Sequence, residues 1–148
     1  MISLPKIMLQ SVLVAVDGSD ANRLAADMAI DIAKDKNVPL TAICVFDIGS
    51  YSTIVNFSSV DQAQIDKMEE DALVYIRGRA AEKGVDLRTK TVTGKPVEAI
   101  VAEAANHQLV VCGTHGRTGI SHSVIGSVAE RLVRLAPCPV LVVRDTQI

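Results

Sequence analysis

Two short stretches of this chain combine residue types and spacings that suit a phosphate-bearing ligand. One is Cys112–Ser127, CGTHGRTGISHSVIGS, where four glycines (Gly113, Gly116, Gly119, Gly126) sit among two histidines and one arginine. Gly113 and Gly116 lack a Cβ, so the backbone there turns sharply and approaches a ligand closely. Beyond nine intervening residues after Gly116, Gly126-Ser127 opens an apolar-periodic stretch. A helix starting there places free N–H groups, the positive end of its dipole and the Ser127 hydroxyl at one spot. The other stretch is Asp17-Gly18, which ends the apolar run SVLVAVD (residues 11–17). From spacing alone, the glycine stretch is equally a phosphate cradle or a flexible strand-to-helix connection.

Other chemistries are poorly supplied. Neither G-x-x-x-x-G-K-[ST] nor G-x-G-x-x-G occurs in the chain. His107, His115 and His122 have no metal-ligand spacing with one another or with the cysteines. His115 has no identifiable nucleophile to serve, so a base role has nothing to act on. Arg117 is either a phosphate contact or a solvated loop charge. Asp17 either meets a ligand or caps the next helix, and Ser19 is the better placed N-cap.

The elements that must position these residues alternate regularly. Strands are expected over 11–17, 39–47 (PLTAICVFD), 85–94 (VDLRTKTVTG), 109–113 (LVVCG) and 140–143 (VLVV). The third alternates apolar with polar residues, as a half-exposed edge strand does. Helices are expected between them. After Ser19 comes one whose inner face carries Ala21, Leu24, Ala25, Met28, Ala29, Ile32 and Ala33. A second over 61–84 has Ile65, Met68, Ala72, Ile76 and Ala80 inside, with Gly78 a point of bending or fraying. A third follows Pro96, burying Val97, Ile100, Val101, Ala104 and Ala105. The last, after Gly126, has an apolar face of Val128, Ala129, Leu132, Val133, Leu135 and Ala136 and an i,i+4 pair of Glu130 with Arg134. Residues 48–60 read as a long surface connection. Five strands alternating with helices make an open, mainly parallel α/β sheet. Such sheets bind ligands beyond the carboxyl ends of their strands, where the strand order reverses. If the first and fourth strands are neighbours, Asp17 and the glycine stretch face one crevice.

Composition bounds the rest. The chain has 148 residues, 49% of them hydrophobic, and a net charge of −2. That is a single soluble domain with a real core and none of the basic excess of a nucleic-acid groove. Two Tyr, two Phe and no Trp leave little for a base-stacking platform. No apolar run approaches the roughly 18 residues of a membrane span. Three cysteines (Cys44, Cys112, Cys138) without a C-x-x-C read as buried residues of a reducing, cytoplasmic compartment. Residues 1–10, MISLPKIMLQ, read as an extension rather than a signal peptide, and residues 11–148 as the domain. The fully apolar VLVV at a sheet edge invites pairing with a second copy, Val140–Val143 against itself.

The residues VAVDGS (14–19), GTHGRTG (113–119) and GSVAERLVRLAPCPVLVV (126–143), in that order, resemble the universal stress protein family over about 11–144. The G-x2-G-x9-G-[ST] pattern resembles the signature of that family's ATP-binding branch. The resemblance implies a Rossmann-like five-stranded parallel sheet of order 3-2-1-4-5 with helices on both faces. It implies ATP, or ADP or AMP, with Mg²⁺ on the phosphates. It places Asp17 beside the nucleoside, Ala15 where a small residue lines the pocket, and the Val45 backbone against adenine. It assigns Gly113, Gly116, Gly126 and Ser127 to the phosphates, with Val128 just after them and Arg117 in the same loop. Cys112 departs from the pattern, standing where a larger apolar residue such as Met is frequent. Lys95 lies by the edge strand, away from the crevice. A homodimer through the fifth strand is implied as well. The expected function is a nucleotide-dependent stress-response module with at most slow hydrolysis, its loop order sensed by an unidentified protein partner. A weak ATPase or phosphotransferase, and a nucleotide-free dimeric scaffold, are the alternatives. No nucleic-acid partner is expected.

Overall fold

A computed structural model describes residues 8–47, 62–114 and 125–144. Five strands, β1 (Val12–Ala15), β2 (Leu40–Phe46), β3 (Leu87–Thr93), β4 (Leu109–Gly113) and β5 (Val140–Val143), form one parallel sheet. Their order is β3-β2-β1-β4-β5. Four helices cover it: α1 (Arg23–Lys36), α2 (Gln62–Lys83), α3 (Pro96–Ala104) and α4 (Ser127–Leu135). A 3-10 turn, Asp20–Asn22, leads into α1.

The period-2 alternation of the strands builds two cores. Val12, Val14, Leu40, Ala42, Cys44, Phe46 and Val111 point to one face and pack with α1 and α2 through Ala25, Ala29, Ile30, Leu73 and Ile76. Leu13, Ile43, Val110 and Cys112 point to the other and pack with α3 and α4 through Val97, Ile100, Ala129 and Leu132. Strands buried on both faces must be apolar at nearly every position, hence the unbroken VLVA and AICVF runs.

The helix stripes differ in phase from the expected ones. On α1 the buried residues are Ala25, Ala26, Ala29, Ile30 and Ala33, while Leu24 and Met28 remain exposed. Small residues face the sheet because α1 also lies against α2, where close approach favours alanine over leucine. On α4 only Ala129 and Leu132 are buried, leaving Val128, Val133 and Leu135 exposed. On α3 Ala105 falls just outside the helix and is exposed. α2 continues through Gly78 without interruption. Asn37 (φ 54) and Gly84 (φ 70) end α1 and α2 in the left-handed conformation, as expected of Asn and Gly stops.

The two sheet edges differ. β3 carries Arg88 and Lys90 outward, paired with Asp86 (3.5 Å) and Glu103 (2.6 Å). β5 is apolar along its length and half-exposed at all four positions.

Candidate functional site

The strand order reverses at β1: β2 and β3 lie to one side, β4 and β5 to the other. β1 is short. It ends at Ala15 rather than Asp17, and the Val16 N–H to the Ile43 carbonyl (3.0 Å) is the last backbone bond this segment makes to β2 among the described residues. β2 runs three residues further, paired with β3 up to Phe46. The Phe46 carbonyl accepts the Gly94 N–H at 2.9 Å, so Phe46 faces β3. Alternation then turns the Val45 N–H and C=O toward the space β1 has left. The same geometry recurs on β4. The Thr114 N–H binds the Val143 carbonyl (3.2 Å), so Thr114 faces β5 and the Gly113 peptide faces the β1 side. A crevice between two strand edges, Val45 and Gly113, results from the early departure of β1.

Its floor is built by the turn after β1. Gly18 has φ 80, and a Cβ there would lie 2.9 Å from both the Ala72 Cα and the Asp71 carbonyl of α2. Only glycine fits both the left-handed backbone and that approach. The Asp17 carboxylate accepts the Ser19 N–H (2.9 Å) and the Ser19 hydroxyl (2.7 Å) through one oxygen. Ser19 therefore precedes the 3-10 turn without capping it through its side chain, contrary to expectation. A charge-assisted bond to the carboxylate outcompetes a weaker one to a helix N–H. Asn22, only 8% exposed, ties the turn down: its Nδ2 donates to the Ala15 carbonyl (3.1 Å) and its Oδ1 accepts the Asp17 N–H (3.3 Å). A cavity of about 300 Å³ opens beside Asp17, lined also by Gly18, Ser19, Met68 and Asp71.

The third wall is the start of α4. The Gly126 N–H donates to the Thr114 carbonyl at 2.7 Å, clipping the two ends of the glycine stretch together. A Cβ on Gly126 would stand 2.8 Å from that carbonyl oxygen. The first intrahelical bond of α4 runs from the Glu130 N–H to the Gly126 carbonyl (3.0 Å). The N–H groups of Ser127, Val128 and Ala129 thus stand at the positive end of the helix, with Ser127 and Val128 exposed. That donor set suits a phosphate.

Among the candidate residues that the structure describes, Ala15 and Val45 pack on the α3/α4 face of the sheet, the face on which α4 begins. Cys112 shares this face but is buried in its core, and burial pushes its thiol up to about 11, so it stays protonated. Gly116, Arg117, His115, Gly119 and His122 lie outside the described residues. Lys95 is not turned away from the site end of the sheet: its Nζ reaches Asp47, two residues beyond Val45, at 3.1 Å. The Glu130–Arg134 pair forms as expected, at 2.6 Å. Among the described residues no three His, Cys, Asp or Glu side chains converge on a metal site.

Three residues escaped the sequence reading. Asn22 and Thr114 are buried polar groups in turns, where hydrophobic periodicity is silent. His107 belongs to a chain at the opposite end of the sheet: Ser11 Oγ to His107 Nδ1 (2.8 Å), His107 Nε2 to Glu103 (2.8 Å), and Glu103 to Lys90 (2.6 Å). The i,i+4 spacing of Glu103 and His107 was the one available signal. Burial pushes the Glu103 carboxyl up, but hydrogen bonds from Lys90, His107 and Asn106 outweigh that and hold it below its ordinary value.

Comparison with known proteins agrees with this architecture. The profile described as Universal stress protein family matches residues 8–144. A universal stress protein of Methanocaldococcus jannaschii is 37% identical over 139 residues, spanning 91% of this chain and 82% of the relative. The crystal structure of a universal stress protein in complex with cAMP superposes with a TM-score of 0.67 at 29% identity, covering 93% of this chain and 98% of that one. An Archaeoglobus fulgidus universal stress protein in complex with dAMP shares the fold, with a TM-score of 0.69 at 18% identity over 93% of this chain and 99% of its own.

Proposed function

The chain belongs to the universal stress protein family, and from that premise we propose that it binds ATP, or ADP or AMP, in the crevice at the carboxyl ends of β1, β2 and β4. The observation that carries this reading is the pair of peptide edges, Val45 and Gly113, facing each other across the gap left by β1, with the N-terminus of α4 beside them. A strand edge offers adenine a donor and an acceptor in register. A helix N-terminus offers phosphates unpaired N–H groups and a favourable dipole. Asp17 lies beside the nucleoside and Ala15 lines its pocket. Gly113, Gly116, Arg117, Gly126, Ser127 and Val128 surround the phosphates. Mg²⁺ is held by the phosphates rather than by a cage of protein carboxylates. The ATP-binding-branch pattern and the relative crystallised with cAMP support the same ligand class.

With one domain over residues 11–148, the chain acts as a cytoplasmic module whose nucleotide state a protein partner reads. Two copies pair through β5. The helices that pack on β5, α1 and α4, expose Leu24, Met28, Val128, Val133 and Leu135 among the described residues, so apolar surface flanks this edge.

The test is direct. Freshly purified protein is denatured and the released small molecules are identified by mass spectrometry, alongside calorimetric titration of Mg-ATP into protein cleared of ligand. An adenine nucleotide near one per chain, or saturable binding of the added one, is expected. Absence of both would sink the reading.

A further inference from the structure

The β1·β4 ladder stops two pairs short of Val16↔Gly113, to which its register would carry it, and a side chain stands in the place of the missing bonds. The register runs Val12↔Leu109, Leu13↔Val110, Val14↔Val111. Continued, it would set Val16 against Gly113. Val16 faces β2, since its N–H binds the Ile43 carbonyl, and Gly113 faces β1, since its neighbour Thr114 faces β5. In a parallel ladder the inward-facing residue makes both bonds of such a pair. The Gly113 N–H would donate to the Ala15 carbonyl, and the Gly113 carbonyl would accept the Asp17 N–H.

The carboxamide of Asn22 fills both roles. Its Nδ2 donates to the Ala15 carbonyl (3.1 Å) and its Oδ1 accepts the Asp17 N–H (3.3 Å). A carboxamide carries a donor and an acceptor side by side, so the Asn22 side chain supplies, on the β4 side of β1, the two bonds that the Gly113 N–H and C=O would otherwise make. It is nearly buried, so this is not a chance surface contact. A buried chain end with an unmet N–H or C=O is costly, and that cost would otherwise favour closing the ladder.

We propose that Asn22 is a positioning residue that ends the β1·β4 ladder at Val14↔Val111 and so keeps the Gly113 peptide turned to the ligand. The identity of that ligand, an adenine nucleotide, rests on the reading above. Asn22 touches no ligand atom itself. It holds Asp17 and Gly113 apart, the two groups between which the nucleotide lies.

The test compares wild type with Asn22→Leu, a near-isostere without the carboxamide, and with Asn22→Asp, which keeps the acceptor for the Asp17 N–H. Asn22→Ala serves in place of the leucine variant if that one does not fold. The structural readout is a through-hydrogen-bond NMR coupling between the Asp17 amide nitrogen and the Gly113 carbonyl carbon in ligand-free protein. It is expected in Asn22→Leu and absent from wild type and Asn22→Asp. The functional readout is Mg-ATP affinity, expected to fall about tenfold or more in Asn22→Leu and less in Asn22→Asp. An absent coupling in Asn22→Leu overturns the proposal, whatever happens to affinity. A coupling accompanied by wild-type affinity overturns the positioning role. Failure of wild type to bind nucleotide would instead overturn the ligand reading, and the coupling would still decide whether Asn22 ends the ladder.

Discussion

The two ends of β1 are both finished by a side-chain carboxamide, with opposite consequences. At the amino end, Gln108 sits on the lead-in to β4, and its Oε1 accepts the N–H groups of Gln10 (2.9 Å) and Ser11 (2.8 Å). At the carboxyl end, Asn22 sits on the turn that follows β1 itself and takes the bonds β4 would have made. Gln108 ties β1 to β4; Asn22 parts them. One chemical group therefore seals a sheet when it comes from the neighbouring strand's connection and opens it when it comes from the strand's own continuation. The sealed end is reinforced by the Ser11–His107–Glu103–Lys90 chain. The open end holds the glycines and the helix N-terminus.

Substitutions at the open end should separate folding from binding least cleanly at its glycines. Gly18→Val is expected to be the most disruptive change, because a Cβ meets α2 backbone at 2.9 Å and the left-handed φ of 80 is closed to valine. A loss of about 3 kcal/mol or more in chemical denaturation is expected, with loss of nucleotide binding. Gly126→Val comes next. Its φ of −61 is ordinary, but its Cβ meets the Thr114 carbonyl at 2.8 Å, so the clip closing the glycine stretch must shift. About 1–3 kcal/mol of stability and most of the affinity should go together. Asp17→Ala should be gentler on the fold, with a melting temperature lowered by a few degrees at most while calorimetry shows a loss of about tenfold in affinity. Equal loss in Asp17→Ala and in an unrelated surface variant would remove Asp17 from the site.

The sealed end makes the opposite prediction, stability without binding. Glu103 has a depressed carboxyl pKa, so its contribution is complete above its ordinary value of 4.5 and is lost as pH falls through its folded value. Wild type should lose stability over that acid range more steeply than Glu103→Gln, while Mg-ATP affinity near neutral pH stays the same in both. Identical acid profiles would mean the chain does not hold this end. The smallest effect belongs to neither end. Gly78 lies in the middle of α2 with open space where a Cβ would go, so Gly78→Ala should add about 0.5–1 kcal/mol and leave affinity unchanged.

The fold was legible because four strands are short apolar runs, the third alternates apolar with polar residues and each helix has an apolar stripe; every strand and every described helix starts within three residues of its expected position. What escaped was phase. Leu24 and Met28 shared a plausible inner face with Ala25 and Ala29, yet the sheet and α2 together accept only the alanine side of the helix. Val128, Val133 and Leu135 look like core in sequence and are exposed, because the surface flanking β5 is apolar without being covered by the described residues of this chain. At the site, Gly113, Gly126 and Asp17 were flagged by residue type. The reasons were only partly right: Gly126 is glycine for the sake of Thr114, and Ser19 serves the Asp17 carboxylate rather than the helix.

Residue types and their spacing were enough to set the class of fold, the end of the sheet that holds the crevice and the kind of ligand that glycines, a helix start and an acid could meet. These depend on local periodicity and on the handedness of parallel crossovers, which a sequence carries in its order. Only the tertiary structure decided which strand edges stay open. Hydrogen-bond parity along β2 and β4 and the length of β1 exist only once strands pair in register. A buried carboxamide such as Asn22 acquires its meaning from the peptide group it replaces, which lies 91 residues away in the chain.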